Sequence, residues 1–334
     1  MPASRARVGV IGVGRMGERH CRIYSTMGNV ELVGVSDLSA VRGQAIASAY
    51  GVRFYQDYSC LLERVDAVSV ATPTDSHFAI ASDCLHHRVH VMVEKPMAKS
   101  LAQAREMVRR ASRSPLVLQV GHIERFNPAF LELQSVVEGM EIVALAARRL
   151  SPFDTSNTDV DVVFDLMIHD IDLALVLLGN EVSSIQAYGR PALTSSTDYA
   201  VANICLADGP VATLTASRVT EQKVRLLEVT ALGAYIEADL LNKSIYIYRR
   251  TVPEYLANHQ RPLRYRQENL VERIHIPTAE PLMLELLDFV RCVRDGAQPI
   301  VSAQDGLLAL ELATRIREGM SRSAAPENQL LVAS

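Results

Sequence analysis

Two stretches of the sequence hold side chains that could move a proton. In the first, Glu94-Lys95-Pro96 follows an apolar run, Val89 to Val93, that reads as a buried parallel strand. A lysine at the C-terminal end of such a strand, partly desolvated beside a cofactor, could exchange a proton with a reacting hydroxyl. Pro96 would fix the turn, with a cis bond as one way of doing so. A plain surface lysine in a turn is the alternative. In the second stretch, Asp165 and His169 stand four residues apart in Asp165-Leu166-Met167-Ile168-His169-Asp170-Ile171-Asp172. On a helix they share a face, so the carboxylate can orient the imidazole for general acid–base work. The competing reading is a helix-terminal histidine among capping carboxylates. No third helix-spaced ligand accompanies Asp165, His169 and Asp170, so no metal is expected.

A third stretch binds and does not react. Val8 to Ile11 reads as a strand buried on both faces, followed at once by Gly12-Val13-Gly14-Arg15-Met16-Gly17 and a helical pattern. In Gly12-x-Gly14-x-x-Gly17, Gly12 makes the tight turn and Gly14 lets backbone approach a pyrophosphate. Gly17 lets the helix lie close to the strand. A second strand, Val30 to Val35, leads to Asp37, twenty residues past Gly17, where a carboxylate accepts ribose hydroxyls. An aspartate there would repel the extra phosphate of NADP, so the expected cofactor is NAD. An ordinary cap for the next helix is the other reading of Asp37.

These groups need a frame. Strands at Val52 to Tyr55, Ala67 to Ala71, Val89 to Val93 and Leu116 to Val120 alternate with helices at Ser39 to Tyr50, Tyr58 to Arg64, Ser76 to His86 and Leu101 to Ser112. That alternation means a doubly wound parallel sheet with helices on both faces. Beyond a helix capped by Asn127, with Pro128 in its first turn, strands come in succession: Ile142 to Arg149, Val182 to Tyr188, Tyr199 to Leu206, Val211 to Ser217, Val224 to Ala231, Ala234 to Asp239 and Ser244 to Tyr248. Turn signals such as Leu232-Gly233-Ala234 predict antiparallel pairing. A helix over Val162 to Leu178 interrupts the run, and helices at Pro281 to Arg294 and Ala303 to Met320 close the chain. The expected class is α/β: an N-terminal Rossmann domain over 1–125, then an α+β domain over 126–334 with a large open, mostly antiparallel sheet.

Composition narrows the function. With 334 residues, 49% of them hydrophobic, the chain can bury two cores, and a net charge of −4 gives no general pull toward nucleic acid or an acidic membrane. The five cysteines are scattered and no apolar stretch reaches membrane-span length, so the expectation is a cytoplasmic protein. His86-His87-Arg88-Val89-His90 spans a helix end and a strand start, which scatters its rings. The segment Arg249 to Arg266, with Arg261, Arg264, Arg266, Tyr255 and Tyr265, reads as a solvated excursion, a subunit contact or an arm meeting phosphate.

Together these residues resemble the glucose–fructose oxidoreductase, inositol dehydrogenase and MocA superfamily. The likeness rests on the glycine fingerprint, Thr72-Pro73 with His77, Glu94-Lys95-Pro96, Arg125-Phe126-Asn127-Pro128 and Asp165-x-x-x-His169. It implies Lys95, Asp165 and His169 as the catalytic set. It also implies cofactor contacts from the glycine loop, Asp37, Ala71, Thr72, Pro73, Thr74, His77, Glu94 and Lys95. Gly121-His122-Ile123-Glu124-Arg125-Phe126 departs from the commoner family form, with Ile123 in place of an asparagine. Together with Arg148-Arg149 it is similar to the branch that acts on UDP-N-acetylglucosamine at the 3-position. On that reading Lys95, His122, Arg149 and His169 meet the substrate, and Arg149 or the later arginines pair with its diphosphate. The implied partners are a sugar or nucleotide sugar and further copies of the chain, as a homodimer or homotetramer through the C-terminal sheet. Rival readings are a dehydrogenase of a free polyol or aldose, and a non-catalytic cofactor-binding regulator of the same fold.

Overall fold

The computed structural model describes residues 5–154, 160–207, 209–250 and 269–323. The chain divides into two compact units, Met1–Phe126 with Ala279–Leu312, and Asn127–Thr278 with Ala313–Ser334.

In the first unit, strands β1 (Ala6–Ile11), β2 (Val30–Ser36), β3 (Arg53–Tyr55), β4 (Ala67–Val70), β5 (His90–Glu94) and β6 (Leu118–Gly121) alternate with helices α1 (Arg15–Thr26), α2 (Ala40–Tyr50), α3 (Ser59–Leu62), α4 (Thr74–His86) and α5 (Leu101–Ser112). The sheet is parallel throughout, in the order β3-β2-β1-β4-β5-β6. That is the dinucleotide-binding order, and it reverses between β1 and β4. The strands read as apolar runs because both faces are covered: Val8, Val10, Val68, Val70, Val91 and Val93 have no exposed surface. Local chemistry sets the helix ends. The Ser39 and Ser100 side chains cap α2 and α5, and α2 stops at Gly51, whose φ of 66° suits glycine.

Helix α8 (Pro281–Asp295) belongs to this first unit, although residues from 126 onward were expected together. Its apolar stripe, Leu282, Leu286, Phe289 and Val290, joins Val8, Val10, Ile23, Tyr24 and Val30 in one core. Val301 accepts from the Val120 N–H at 3.2 Å, and Arg125 reaches both the Ile300 carbonyl and Asp305 at 3.3 Å. Helix α9 (Ala303–Ser323) starts in this unit and contributes its later residues, from Ala313, to the second.

The second unit opens with α6 (Pro128–Val137), where the Asn127 side chain accepts from the Ala129 N–H at 3.1 Å and donates to the Leu240 carbonyl at 3.0 Å. Then come β7 (Ile142–Leu150), a π-helical turn (Val163–Met167), α7 (Ile168–Leu178), β8 (Val182–Arg190), β9 (Tyr199–Leu206), β10 (Val211–Ser217), β11 (Val224–Ala231), β12 (Ala234–Asp239), β13 (Ser244–Arg250) and β14 (Asn269–Ile274). The eight strands lie in the order β14-β13-β12-β11-β7-β10-β9-β8. Two features differ from expectation. Strand β14 was not foreseen, and β7 pairs parallel to β10, from Val211 beside Ala144 to Ser217 beside Leu150. The chain leaves β7 through α7 and returns by β8 to β10, so β7 is flanked by strands distant in sequence. All the other pairings are antiparallel. One face is buried through Ala200, Ala202, Ile204, Leu214, Leu227, Val229, Ile236 and Ile247. The alternate residues, among them Tyr199, Glu237 and Tyr248, face outward.

If α8 completes the first core, Phe289→Ala lowers that unit's stability by about 3–5 kcal/mol, the usual cost of emptying a buried aromatic site. Denaturant unfolding followed by a probe placed in the first unit checks this, and an unchanged midpoint would contradict it.

Candidate active site

The groups expected in the first unit gather along one edge of its sheet. Strands β1, β4 and β5 are neighbours, and their C-terminal ends carry the Gly12 turn, Ala71 to Thr74, and Glu94-Lys95. Gly12 has φ +84°, and a side chain there would meet Thr72 Cγ2 at 2.7 Å and Thr72 N at 2.8 Å. A Cβ on Gly17 would lie 1.8 Å from the Gly12 carbonyl oxygen, whereas one on Gly14 would meet nothing within 4 Å. The loop is therefore closed where helix meets turn and open where a ligand backbone contact belongs. Helix α1 begins there with no side-chain cap, unlike α2, α5 and α6. Its first N–H groups and dipole fit a pyrophosphate in that position. Arg15 is exposed, Met16 is half-buried against the core, and Val13 is buried.

Asp37 at the end of β2 is tied to this loop. Its Oδ2 accepts from the Val13 N–H at 2.9 Å and Arg42 Nε at 3.1 Å, and its Oδ1 from Ser39 N–H and Arg42 Nη2, both at 2.8 Å. Burial alone would push this carboxyl up; Arg42 and the two N–H groups outweigh it and hold it below the usual aspartate range. Arg42 was not singled out from sequence, although an arginine five residues beyond the aspartate was legible.

Two expected cofactor contacts do different work. His77 is 1% exposed, with Nε2 2.8 Å from the Thr72 carbonyl oxygen and Nδ1 3.0 Å from that of Pro96. Either neutral tautomer donates to one of these two carbonyls, and a ring so buried between the loops has little edge left for the nicotinamide contact that was expected. Glu94 turns inward, its Oε1 3.1 Å from Nε2 of the buried His20. Lys95 is half-buried, and the Lys95–Pro96 peptide is cis.

In the second unit, Asp165 lies in the π-helical turn and His169 just inside α7, both half-buried. The expected single α-helix is thus two kinds of turn, and such π turns recur at functional sites. The Asp161 carboxylate caps it, accepting from Val163 N–H at 2.9 Å and Phe164 N–H at 3.2 Å. Asp198 gathers the neighbouring loop, accepting from the N–H groups of Ala192, Leu193 and Thr194 at 2.6–2.8 Å and from Arg218 at 2.8 Å. Arg218 also donates to Val160 at 2.7 Å, and Val162 donates to Thr197 at 3.0 Å. Neither Asp198 nor Arg218 was found from sequence, because their pairing is set by strand register.

The N-terminal residues 6–122 match the model described as an oxidoreductase family with an NAD-binding Rossmann fold, and residues 146–234 match the GFO/IDH/MocA C-terminal domain. The chain belongs to the GFO/IDH/MocA oxidoreductase family. A UDP-N-acetylglucosamine 3-dehydrogenase of Acidithiobacillus ferrooxidans is 39% identical over 250 residues, 74% of this chain and 79% of that protein. Its solved structure superposes with a TM-score of 0.87 at 33% identity, covering 95% of this chain and 98% of the other. A myo-inositol 2-dehydrogenase of Thermotoga maritima is 28% identical over 328 residues, 92% and 93% of the two chains.

Within this family member, two expected substrate contacts are turned inward. Arg149 is 2% exposed and forks onto Asp170 at 2.7–3.0 Å. A guanidinium spent on a buried carboxylate offers no diphosphate site, which corrects that expectation. His122 is 1% exposed, so its ring has no solvent-facing surface. Of the arginine-rich segment, residues 251–268 lie outside the described ones, and Arg249 pairs with Glu272 at 2.9 Å across β13 and β14. Among the described residues no cluster of three or more His, Cys, Asp or Glu could hold a metal ion, and no helix is long and apolar enough to cross a membrane.

Burial pushes His77 and His90 below the ordinary imidazole value in the folded first unit. Below about pH 6.5 the unfolded chain takes up protons that these folded rings refuse, so stability present above that pH is lost as pH falls. The thermal midpoint of the first unit should therefore drop between about pH 7 and 5, and His77→Gln should flatten the drop. A midpoint that rises with acid would contradict this assignment.

Proposed function

We propose that this chain is an NAD-dependent dehydrogenase of a nucleotide sugar, interconverting a ring hydroxyl and a ketone at the 3-position of UDP-N-acetylglucosamine or a close analogue. The observation that carries the substrate class is the 39% identity, over 74% of the chain, to the Acidithiobacillus enzyme of that name. The uncapped start of α1, beside a glycine open to a ligand, supports a dinucleotide, and Asp37 favours ribose hydroxyls over a 2′-phosphate. The Gly12–Gly17 loop would hold the pyrophosphate, Asp37 the adenosine ribose, and Ala71 to Thr74 the nicotinamide half. NAD would supply the hydride acceptor.

The chain's own residues handle the proton. His169, oriented by Asp165, takes it from the reacting hydroxyl, and Lys95 hydrogen-bonds the same oxygen and stabilises its developing charge. Arg261, Arg264 and Arg266 are the basic residues proposed for the diphosphate. A second reading, a dehydrogenase of free polyols such as inositol, is favoured by the inward-turned Arg149 and by the Thermotoga relative. Subunits would associate through the open sheet face, where Tyr188 is 61% and Tyr199 41% exposed. The free cysteines suit a cytoplasmic setting.

Purified protein given NAD with UDP-N-acetylglucosamine, inositol or glucose should form NADH only with the nucleotide sugar. Lys95→Ala and His169→Ala should each lose about 10²–10⁴-fold in turnover. Reduction with inositol alone would sink the nucleotide-sugar reading, and full turnover in both variants would sink the catalytic assignment.

A further inference from the structure

The Asp37 carboxylate is already full. Such a group offers about four lone-pair sites, and among the described residues four N–H donors reach this one. Two belong to main chain with a fixed place in the fold. Val13 N–H, in the glycine loop, donates to Oδ2 at 2.9 Å, and Ser39 N–H, at the cap of α2, donates to Oδ1 at 2.8 Å. Gln56 pins the chain between Asp37 and Ser39, donating to the Leu38 carbonyl at 3.0 Å. The other two bonds come from one side chain. Arg42 forks across the carboxylate, Nε to Oδ2 at 3.1 Å and Nη2 to Oδ1 at 2.8 Å. A ribose diol that gives one hydroxyl to each carboxylate oxygen needs the same two positions.

The two partners differ in freedom. The Asp37 side chain is 4% exposed and that of Arg42 54%. The carboxylate stays where Val13 and Ser39 hold it, whereas the guanidinium can swing into water and lose little by doing so. Its departure does not strand a buried charge when two hydroxyl donors arrive in its place. Leu38 and Val41, 93% and 83% exposed, give apolar surface beside this position that suits an adenine ring. We propose that Arg42 is a specificity-determining residue: it occupies the ribose face of Asp37 in the free protein, NAD binds by displacing it, and the displaced guanidinium then favours a ribose 2′-phosphate. A state that must first open weakens the apparent affinity for NAD. An arginine released beside the ribose offsets the repulsion that Asp37 alone would exert on NADP. The chain thus discriminates between the two cofactors less than its aspartate would by itself. This role for Arg42 rests on Asp37 being the ribose acceptor, and the two are tested apart.

Titration calorimetry of nucleotide-free protein with NAD and with NADP reads both without any sugar. At about pH 8 the aspartate is ionised with or without its arginine. In Arg42→Met, which keeps the side chain's length without its donors, Kd for NAD should fall about three- to tenfold. Kd for NADP should rise about tenfold in the same variant. Arg42→Lys, a point charge that cannot fork, should bind NAD with an affinity between those of wild type and Arg42→Met while keeping its hold on NADP. NAD affinity unchanged or weaker in Arg42→Met overturns the proposal, since the arginine then only props Asp37. NADP tightening as much as NAD overturns it as well. Asp37→Asn tests the ribose reading itself and should weaken NAD by about tenfold or more. No binding of either dinucleotide, or NAD binding untouched by Asp37→Asn, brings down that reading and the role of Arg42 with it. Loss in Asp37→Asn without a gain in Arg42→Met brings down the role of Arg42 alone.

Discussion

The approach of α1 to its own preceding turn is the constraint on which the first unit depends. With 1.8 Å between a would-be Gly17 Cβ and the Gly12 carbonyl oxygen, no other residue fits without moving the helix. That contact holds the uncapped first turn of α1 at the sheet edge where strand order reverses. Other placements follow from it. Gly12 presses on Thr72, the His77 ring lies between the Thr72 and Pro96 carbonyls, and Pro96 follows Lys95. The same helix delivers His20 to Glu94. A loop that looks like a phosphate cradle is thus also the first link in a run of contacts ending beside Lys95.

The second unit solves its positioning problem with buried charge. The pairs Arg149–Asp170 and Arg218–Asp198 have side chains at most 5% exposed. Pairs of this kind add little net stability over apolar packing, but losing one partner costs about 3–5 kcal/mol because the other is left uncompensated. Their value is in geometry. Arg149 fixes α7 from β7 through Asp170, the immediate neighbour of His169. Arg218 and Asp198 secure the loop to which Val162 bonds, just before the turn that carries Asp165. The base role proposed for His169 would need its ring held to a fraction of an ångström, and these pairs supply such support from the same unit.

Much of this frame was legible in the sequence because it is local. Apolar runs against glycine, serine caps and turn dipeptides placed α5, β9, β10, β11 and β12 at the ends the structure gives. The glycine loop and the strand-end positions of Asp37 and Lys95 follow from spacing. What escaped depends on distant partners. The stripe Leu282, Leu286, Phe289 announces a helix with one buried face, but nothing in it says which sheet that face meets. Turn signals suit hairpins and say nothing of a strand such as β7 that pairs with β10 across a helix. Arg149 was expected at a ligand because a guanidinium suits phosphate, and His77 because of the family resemblance. Whether Arg149 or His77 points outward is decided by Asp170 and by two carbonyls, which no local pattern names. The family membership ties these parts to oxidoreductase chemistry.

The central claim is direct transfer of hydrogen from a sugar carbon to the nicotinamide. UDP-N-acetylglucosamine carrying deuterium at C3, incubated with the protein and NAD, tests it by mass spectrometry of both products. The account predicts monodeuterated NADH formed one for one with the 3-keto sugar. Ketone formed with unlabelled NADH, or deuterium retained in the sugar by protein that demonstrably binds NADH, would contradict it.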